Sequence, residues 1–303
     1  MNQLFYQELV NLTAKERIKT EEPMKNHTTF RVGGPASFFV MPERPEEIRE
    51  IIALCRREKI PYYVMGNGSN ILVSDKGYQG VIIQIYKEMS RVEVHQEALR
   101  VQAGALLSAI AGKALEAGLT GFEFAAGIPG TLGGACVMNA GAYGGEMKDV
   151  VKEVTVLTQE GKVLVLSDGE LRFGYRTSVI AKAGYIVLGA VIQLKKGDKP
   201  SIRAVMDELK ERRIARQPLE YPSAGSTFKR PEGYFAGKLI EEAGLRGFQV
   251  GGAQVSEKHC GFVINKGQAT AADVAELMSQ VAHRVEETSG VKLEPEVKKL
   301  GDF

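Results

Sequence analysis

Little in this chain could organise a covalent or metal-bound framework. Its three cysteines, Cys55, Cys136 and Cys260, are odd in number and far apart, and neither they nor the four histidines show metal-ligand spacing. That excludes a disulfide scaffold and a metal site, and it predicts reduced, buried thiols. Charge of one sign is also missing. The 39 Lys and Arg against 37 Asp and Glu leave a net +2, too small a field to gather nucleic acid or an anionic membrane. No apolar run approaches the ~20 residues of a membrane span. The charged first segment, MNQLFYQELVNLTAKERIKTEE, reads as an amphipathic helix and not as a signal peptide. A cytoplasmic protein is the expectation, with no nucleic-acid partner and no membrane insertion, and neither repeats nor low-complexity tracts are present.

Glycine is abundant: 34 residues in a chain of ordinary globular polarity, 44% hydrophobic and 25% charged. A length of 303 residues implies about two domains or three small ones. Periodicity predicts a first helix with Leu4, Phe5, Leu9 and Leu12 on one face. A β, α, β unit follows over 36–65, its helix carrying Ile48, Ile51, Ile52 and Cys55 inward. Short strands come next at 81–85, 92–95 and 99–102, then an alanine-rich helix from 105. The stretch 151–167 reads as a hairpin turning at Glu160-Gly161, and 185–194 as a buried strand. A polar connector at 195–201 precedes a last region, which opens on a helix with Ile202, Val205, Met206 and Leu209 inward. That region ends with a helix capped by Thr270 and Asp273, with Val274, Leu277, Met278, Val281 and Val285 along its core face.

The glycines gather in two places. In the first, MGNGSNILVSD at 65–75, Gly66, Asn67 and Gly68 follow a strand. A dinucleotide fingerprint must open a helix whose N-terminus meets the pyrophosphate. Here Ile71, Leu72 and Val73 are β-formers, so the loop joins strand to strand. Its amides, with the Ser69 and Asn70 side chains, can form an anion-binding nest without a helix; an ordinary hairpin loop is the alternative. In the second, AGIPGTLGGACVMNAGAYGGE at 126–146, glycines alternate with apolar residues as no flexible linker does. Such glycines admit a ligand or a neighbouring strand against the backbone. Thr131 is placed to open a short helix with oriented amides for a phosphate. Neither cluster carries a Walker lysine, so the pair suits an elongated pyrophosphate cofactor better than a triphosphate.

Together with GYRTS (174–178), SAGSTFKRP (223–231), GGAQVSEKHCGFVIN (251–265) and LEPEV (293–297), these segments resemble the UDP-N-acetylenolpyruvoylglucosamine reductase family, from NHTTFRVGGPA (26–36) to the C-terminus. The resemblance implies an α+β fold, with a two-part FAD-binding domain of the vanillyl-alcohol-oxidase/PCMH type and a C-terminal α+β substrate-binding domain. The implied division is 1–90, with the N-terminal helix and first FAD subdomain, 91–198 for the second FAD subdomain, and 199–303 for substrate. Non-covalent FAD would meet Gly66, Asn67, Gly68, Ser69 and Asn70 of the first cluster. In the second it would meet Gly127, Ile128, Pro129, Gly130, Thr131 and Gly133, then Asn139, Gly141, Ala142 and Tyr143. NADPH is the implied co-substrate and UDP-N-acetylenolpyruvoylglucosamine the implied substrate, using one site in turn. The chain is expected to be a monomer or weak oligomer.

Residue by residue, the family's catalytic arginine, serine and glutamate fall on Arg176, Ser226 and Glu296. Hydride arriving at C3 of an enolpyruvyl group leaves negative charge on C2 and its carboxylate, which must be stabilised where it forms. Arg176 can bind that carboxylate in a fixed geometry and stays charged. Glu296 beside the same carboxylate is expected to carry a proton, because adjacent carboxylates repel. Ser226 is expected to deliver the proton to C2, with Lys229 stabilising the alkoxide left behind. Arg216, Lys229 and Arg230 are candidate ligands of the UDP pyrophosphate, and Tyr175 is a candidate substrate contact. A surface ion pair, a solvated charge or a turn serine is the plain alternative for each.

Only eight residues, Thr177 to Gly184, separate Arg176 from the next strand. The chain therefore resembles the shorter subclass, which lacks the tyrosine-bearing substrate lid, and Arg230 stands where longer members carry Asn. Two other functions fit the same clusters. One is another FAD-dependent oxidoreductase of this fold, an oxidase, for which His27 and Cys136 are the available covalent attachment points. The other is a non-catalytic nucleotide-binding module in which Arg176, Ser226 and Glu296 coincide by accident.

Overall fold

The computed structural model describes residues 3–303, and the chain forms two compact units interleaved in sequence. The first comprises the chain up to Lys19, Phe39–Asn67 and Val81–Arg213; the second comprises Thr20–Phe38, Gly68–Gly80 and Ile214–Phe303. The strands Ile18–Pro23, Pro35–Val40, Tyr78–Gln84 and Tyr62–Met65 make a four-stranded sheet in that order. The β, α, β unit read over 36–65 is present, but its two strands are not neighbours. Tyr78–Gln84 stands between them and runs parallel to Tyr62–Met65, with Tyr62 opposite Val81 and Met65 opposite Gln84.

The connecting helix, Pro45–Arg57, starts on a proline, whose missing N–H is no loss in a first turn. Glu46 and Glu47 at its start and Arg56 and Arg57 at its end complement the helix dipole. It buries Ile48, Ile51, Ile52 and Cys55, as the apolar stripe predicts, and packs against helix Gln3–Leu12. There Phe5 and Leu9 are buried while Leu4, expected inward, is 80% exposed. One residue along a helix is a rotation of about 100°, which carries Leu4 off a contact line set by Phe5 and Leu9.

The rest of the first unit is built on a five-stranded antiparallel sheet, ordered Val163–Ser167, Val151–Leu157, Ile186–Gln193, Ala98–Gln102, Val92–His95. The predicted hairpin turns at Gly161, whose φ of +79° is left-handed. Helix Leu132–Met138 packs on Ile186–Gln193. Helix Lys199–Arg216 buries Ile202 but leaves Val205 43% exposed. The inward stripe expected there is realised only at its start, since a helix so rich in charge has little apolar surface to hide. All three cysteines are unbridged and buried, and burial pushes the Cys55 and Cys136 thiols up to about 12.

The second unit has a four-stranded antiparallel sheet ordered Ser223–Ser226, Phe262–Asn265, Ala253–Val255, Gln249–Val250. Helix Ala271–Ser289 lays Val274, Leu277, Met278, Val281 and Val285 into its core, all buried as expected. Thr270 and Asp273 form the predicted capping box, each side chain accepting the other's amide. A second acceptor was not legible: the Asp75 carboxylate takes the amides of Ala271 and Ala272 at 2.8 and 2.9 Å. Strand Lys298–Leu300 runs parallel to Ile71–Val73, the strand that follows the first glycine cluster.

Leu277→Ala is expected to destabilise the protein by about 2–5 kcal/mol, through lost burial and a residual cavity, in urea unfolding. The Asp273 carboxyl is held below the ordinary carboxylate range chiefly by the Thr270 amide, against the opposing effect of burial and with help from the Gly252 amide. Its contribution is complete above the unfolded value and is lost as pH falls through the depressed folded value. Asp273→Asn should therefore flatten the fall of stability below about pH 4; an unaltered acid limb would disprove this.

Candidate active site

In the first unit the two glycine clusters meet. Gly66 lies so close to Thr131 that a Cβ would collide with the Thr131 hydroxyl. Beside it, Asn67 Nδ2 donates to the Pro129 carbonyl at 2.7 Å. Thr131 is the N-cap of helix Leu132–Met138 through its backbone only, with no side-chain cap bond. The amides of Leu132 and Gly133 donate to Ala105 and Ala103 carbonyls at 2.8 Å each. These two helix amides, expected to face a phosphate, are therefore engaged within the protein. Around Gly144 nothing lies within 4 Å of a would-be Cβ, and at Gly134 the nearest atom is 3.8 Å away. The chain there is open to a ligand.

Arg176 sits at the second corner of a two-residue turn. Gly174 and Thr177 exchange backbone hydrogen bonds of 3.0 and 3.3 Å across it. Arg176 itself has φ +54°, the left-handed conformation that a side-chain-bearing residue adopts at a cost, and one that clusters at functional sites. Asn139, also left-handed at φ +48°, holds this turn. Its Nδ2 donates to the Gly174 carbonyl at 3.1 Å and to Glu146 at 3.0 Å, and its Oδ1 accepts the Lys148 amide at 2.9 Å. Read from the sequence as a cofactor contact, Asn139 is only 1% exposed, and its amide group is engaged inside the protein. It reaches the site through the Arg176 turn.

The Arg176 guanidinium lies 5.0 Å from the centre of the exposed Tyr175 ring. Glu146, which sequence reasoning passed over, is held below the ordinary carboxylate range chiefly by its bond with Lys148, and also by Asn139 and the Arg176 charge. The short stretch after Arg176 is ordered: Ser178 donates to the Val137 carbonyl at 2.6 Å and caps helix Val179–Ala183, which ends on left-handed Gly184. Tyr143 is a third left-handed side chain in this segment, with φ +53°.

In the second unit, Ser226 ends strand Ser223–Ser226 after a register shift at Gly225, φ +74°. The serine is exposed, and its hydroxyl bonds to no other described residue. The next residue, Thr227, is fully buried. Its amide donates to Gly261, its Oγ1 accepts the Val263 amide, and its carbonyl accepts the Glu296 amide at 2.8 Å. Phe228 pairs with Pro295, and the Lys229 amide donates to the Glu294 carbonyl. Asn70 of the first glycine cluster joins them: its Nδ2 donates to the Glu296 carbonyl at 3.2 Å, and its own carbonyl accepts the Lys298 amide. The Ser226 and Glu296 segments are thus brought together by backbone bonds, and Asn70 is tied to Glu296 through its side chain.

The Lys229 ammonium, expected to face the Ser226 oxygen, is paired with Glu294 at 2.9 Å and keeps that carboxyl below its ordinary range. Arg230 lies 4.0 Å above the exposed Phe235 ring and donates to the Tyr234 carbonyl. Arg216 is exposed at the end of its helix. The amides of Gly68, Ser69 and Asn70 donate to no other described residue. Gly68 is left-handed at φ +64°. A turn of successive unpaired amides is the form of an anion nest.

A family model described as an FAD binding domain matches residues 36–167. A second, described as the UDP-N-acetylenolpyruvoylglucosamine reductase C-terminal domain, matches 217–300. The chain is 53% identical over 302 residues to the UDP-N-acetylenolpyruvoylglucosamine reductase of Clostridioides difficile, covering 99% of both. The crystal structure of UDP-N-acetylenolpyruvylglucosamine reductase from Thermus caldophilus aligns with a TM-score of 0.79 at 39% identity, over 92% of this chain and 97% of that one. Phl p 4.0202, a glucose dehydrogenase, aligns over 93% of this chain and 58% of its own at TM-score 0.52 and 14% identity, a likeness of fold alone. Among the described residues no helix is long and apolar enough to cross a membrane, and no cluster of three metal-ligating side chains occurs.

Asn139→Ala removes three hydrogen bonds and forces alanine into a left-handed conformation. The expected loss is about 2–4 kcal/mol, with faster amide exchange at Thr177; a variant as stable as the parent would show that Asn139 does not hold the turn.

Proposed function

The chain belongs to the UDP-N-acetylenolpyruvoylglucosamine reductase family, an FAD-dependent oxidoreductase with the α+β, PCMH-type FAD-binding fold, and from that premise we propose that it reduces UDP-N-acetylenolpyruvoylglucosamine to UDP-N-acetylmuramate with NADPH. The step belongs to peptidoglycan synthesis, in the cytoplasm. The observation that supports this most is the backbone ladder that joins the Ser226 segment to the Glu296 segment. It runs the segment carrying an alcohol alongside the segment carrying an acid.

The residues present fit FAD. A long dinucleotide needs backbone it can approach and amides for its phosphates. The unpaired amides of Gly68, Ser69 and Asn70 and the open flank at Gly134 and Gly144 offer both. The first cluster, with Gly66 and Asn67, and the second, from Gly127 to Tyr143, would hold it. Bound FAD supplies hydride acceptance from NADPH and hydride donation to C3 of the enolpyruvyl group.

The protein's own part lies in charge and proton handling. Arg176 binds the substrate carboxylate and stabilises the charge that grows on C2. Its turn is fixed by Asn139 through the Gly174 carbonyl. Ser226 holds the proton destined for C2, and its hydroxyl has no competing bond among the described residues. The alkoxide it leaves requires a nearby cation. Lys229 can serve on leaving Glu294, because an exposed ion pair is worth about 0–1 kcal/mol. Glu296, protonated, donates to the carboxylate that Arg176 also binds, and its peptide is held at both ends by Thr227 and Asn70. Arg216, Lys229 and Arg230 are the cations proposed for the UDP phosphates, with Tyr175 as a further substrate contact. An oxidase with covalent flavin gains nothing from Cys136, whose thiol is pushed up to about 12 by burial.

Purified protein should show an oxidised flavin spectrum, bleach with NADPH without oxygen, and recover colour with the enolpyruvyl substrate. Ser226→Ala should slow recovery by ~10²–10⁴ and leave bleaching intact. Full-speed recovery in that variant removes Ser226 as proton donor; absence of flavin removes the whole function.

A further inference from the structure

Helix Lys199–Arg216 sets a cation against the second glycine cluster near its C-terminal end. A Cβ on Gly127 would stand 2.9 Å from Nη1 and 3.1 Å from Cδ of Arg213. The arginine therefore lies along bare backbone that any other residue would cover. Its neighbour Arg212 is an ordinary surface cation, paired with Glu208 at 3.6 Å and stacked 5.2 Å from the Tyr143 ring centre. Arg213 differs. It is half-buried, and among the described residues no carboxylate pairs with it and no oxygen accepts its N–H groups. Burial lowers its affinity for its proton, and the one titratable group acting on it is Tyr143.

A guanidinium removed from water without a counter-ion destabilises a fold, and replacing it with an apolar side chain would relieve the cost. Its retention against a glycine backbone makes sense if a ligand brings the missing charge. Guanidinium is also suited to phosphate, which it meets with two parallel N–H donors. We propose that Arg213 is the counter-ion of a nucleotide diphosphate that runs along the Gly127 backbone. This rests on the flavoenzyme function above, and two sources share the chemistry: the cofactor and the UDP substrate. Gly127 lies within the stretch matched to an FAD-binding domain, which favours the cofactor.

The test uses full-length protein stripped of flavin, titrated with FAD and with riboflavin, which has no phosphate, and melted with and without each. Arg213→Met should weaken FAD by ~10–100-fold, the worth of a charge-assisted bond, and change riboflavin by less than about twofold. The unliganded variant should melt at or above the parent temperature, since an unpaired half-buried charge is gone, while the stabilisation by FAD shrinks. Arg213→Lys should fall between. If FAD binding is unchanged but UDP binds the holoenzyme ~10-fold more weakly, the diphosphate is the substrate's. Overturning results are FAD and UDP both unchanged, riboflavin weakened as much as FAD, or an unliganded variant that melts well below the parent. Parent protein that takes up no FAD defeats the flavoenzyme function itself, a result distinct from any of these.

Discussion

The buried peptide of Thr227 is the constraint on which the second unit's chemistry depends. It is bonded on three sides: to Gly261 through its amide, to Val263 through its hydroxyl, and to Glu296 through its carbonyl. A buried backbone group must be paired, and here the pairing does positional work. It fixes the residue just before it, Ser226, relative to the residue across from it, Glu296, without drawing on either side chain. The two backbones are held in this way, and the Ser226 hydroxyl bonds to no other described residue. On the function proposed, groups held by backbone bonds would lose little when they act, because nothing in that backbone support has to break.

The first unit achieves the same rigidity by a different route, with strain in place of a ladder. Asn139, Tyr143 and Arg176 all adopt the left-handed conformation that glycine adopts without penalty. Asn tolerates it best, and Asn139 sits where the helix Leu132–Met138 ends. Its side chain then ties the Arg176 turn to Glu146 and to the Lys148 amide. The ionised Glu146 contributes to the field at Arg176 from the same cluster. Strain of this kind persists only where the surroundings over-determine it, and three hydrogen bonds to one buried amide side chain meet that condition.

Local rules were legible in the sequence and long-range pairings were not. The strand at Val92–His95, the capping box at Thr270 and Asp273, and the strand-to-strand course of the first glycine loop all follow from residue type and spacing. The insertion of Tyr78–Gln84 beside Tyr62–Met65 does not, because strand order is decided by partners that periodicity never names. Thr227 carried no signal that set it apart from Ser226. Lys229 looked available until its carboxylate, 65 residues away, came beside it. The helix amides at Leu132 and Gly133 looked available too, and they are taken by carbonyls of Ala105 and Ala103, from an earlier loop. In each case the missed fact is who occupies a donor or acceptor, which is settled only when distant segments meet.

The first glycine loop gathers these threads within the second unit. The Gly68 carbonyl accepts the Thr29 amide, Asn70 grips the Glu296 peptide and the Lys298 amide, and Asp75 closes the first turn of helix Ala271–Ser289. The Gly68 and Asn70 carbonyls, the Asn70 side chain and the Asp75 carboxylate are committed to the fold, while the backbone donors of Gly68, Ser69 and Asn70 are not. The division has a physical sense: the protein holds the loop through carbonyls and carboxylates and leaves these N–H groups unpaired, and an anion is their natural partner. An anion seated there bears on the same few residues that carry the Glu296 peptide. On the function proposed, one loop would both bind cofactor and place the acid, in keeping with glycines that stand beside Asn70 and Asp75 and not in a flexible linker.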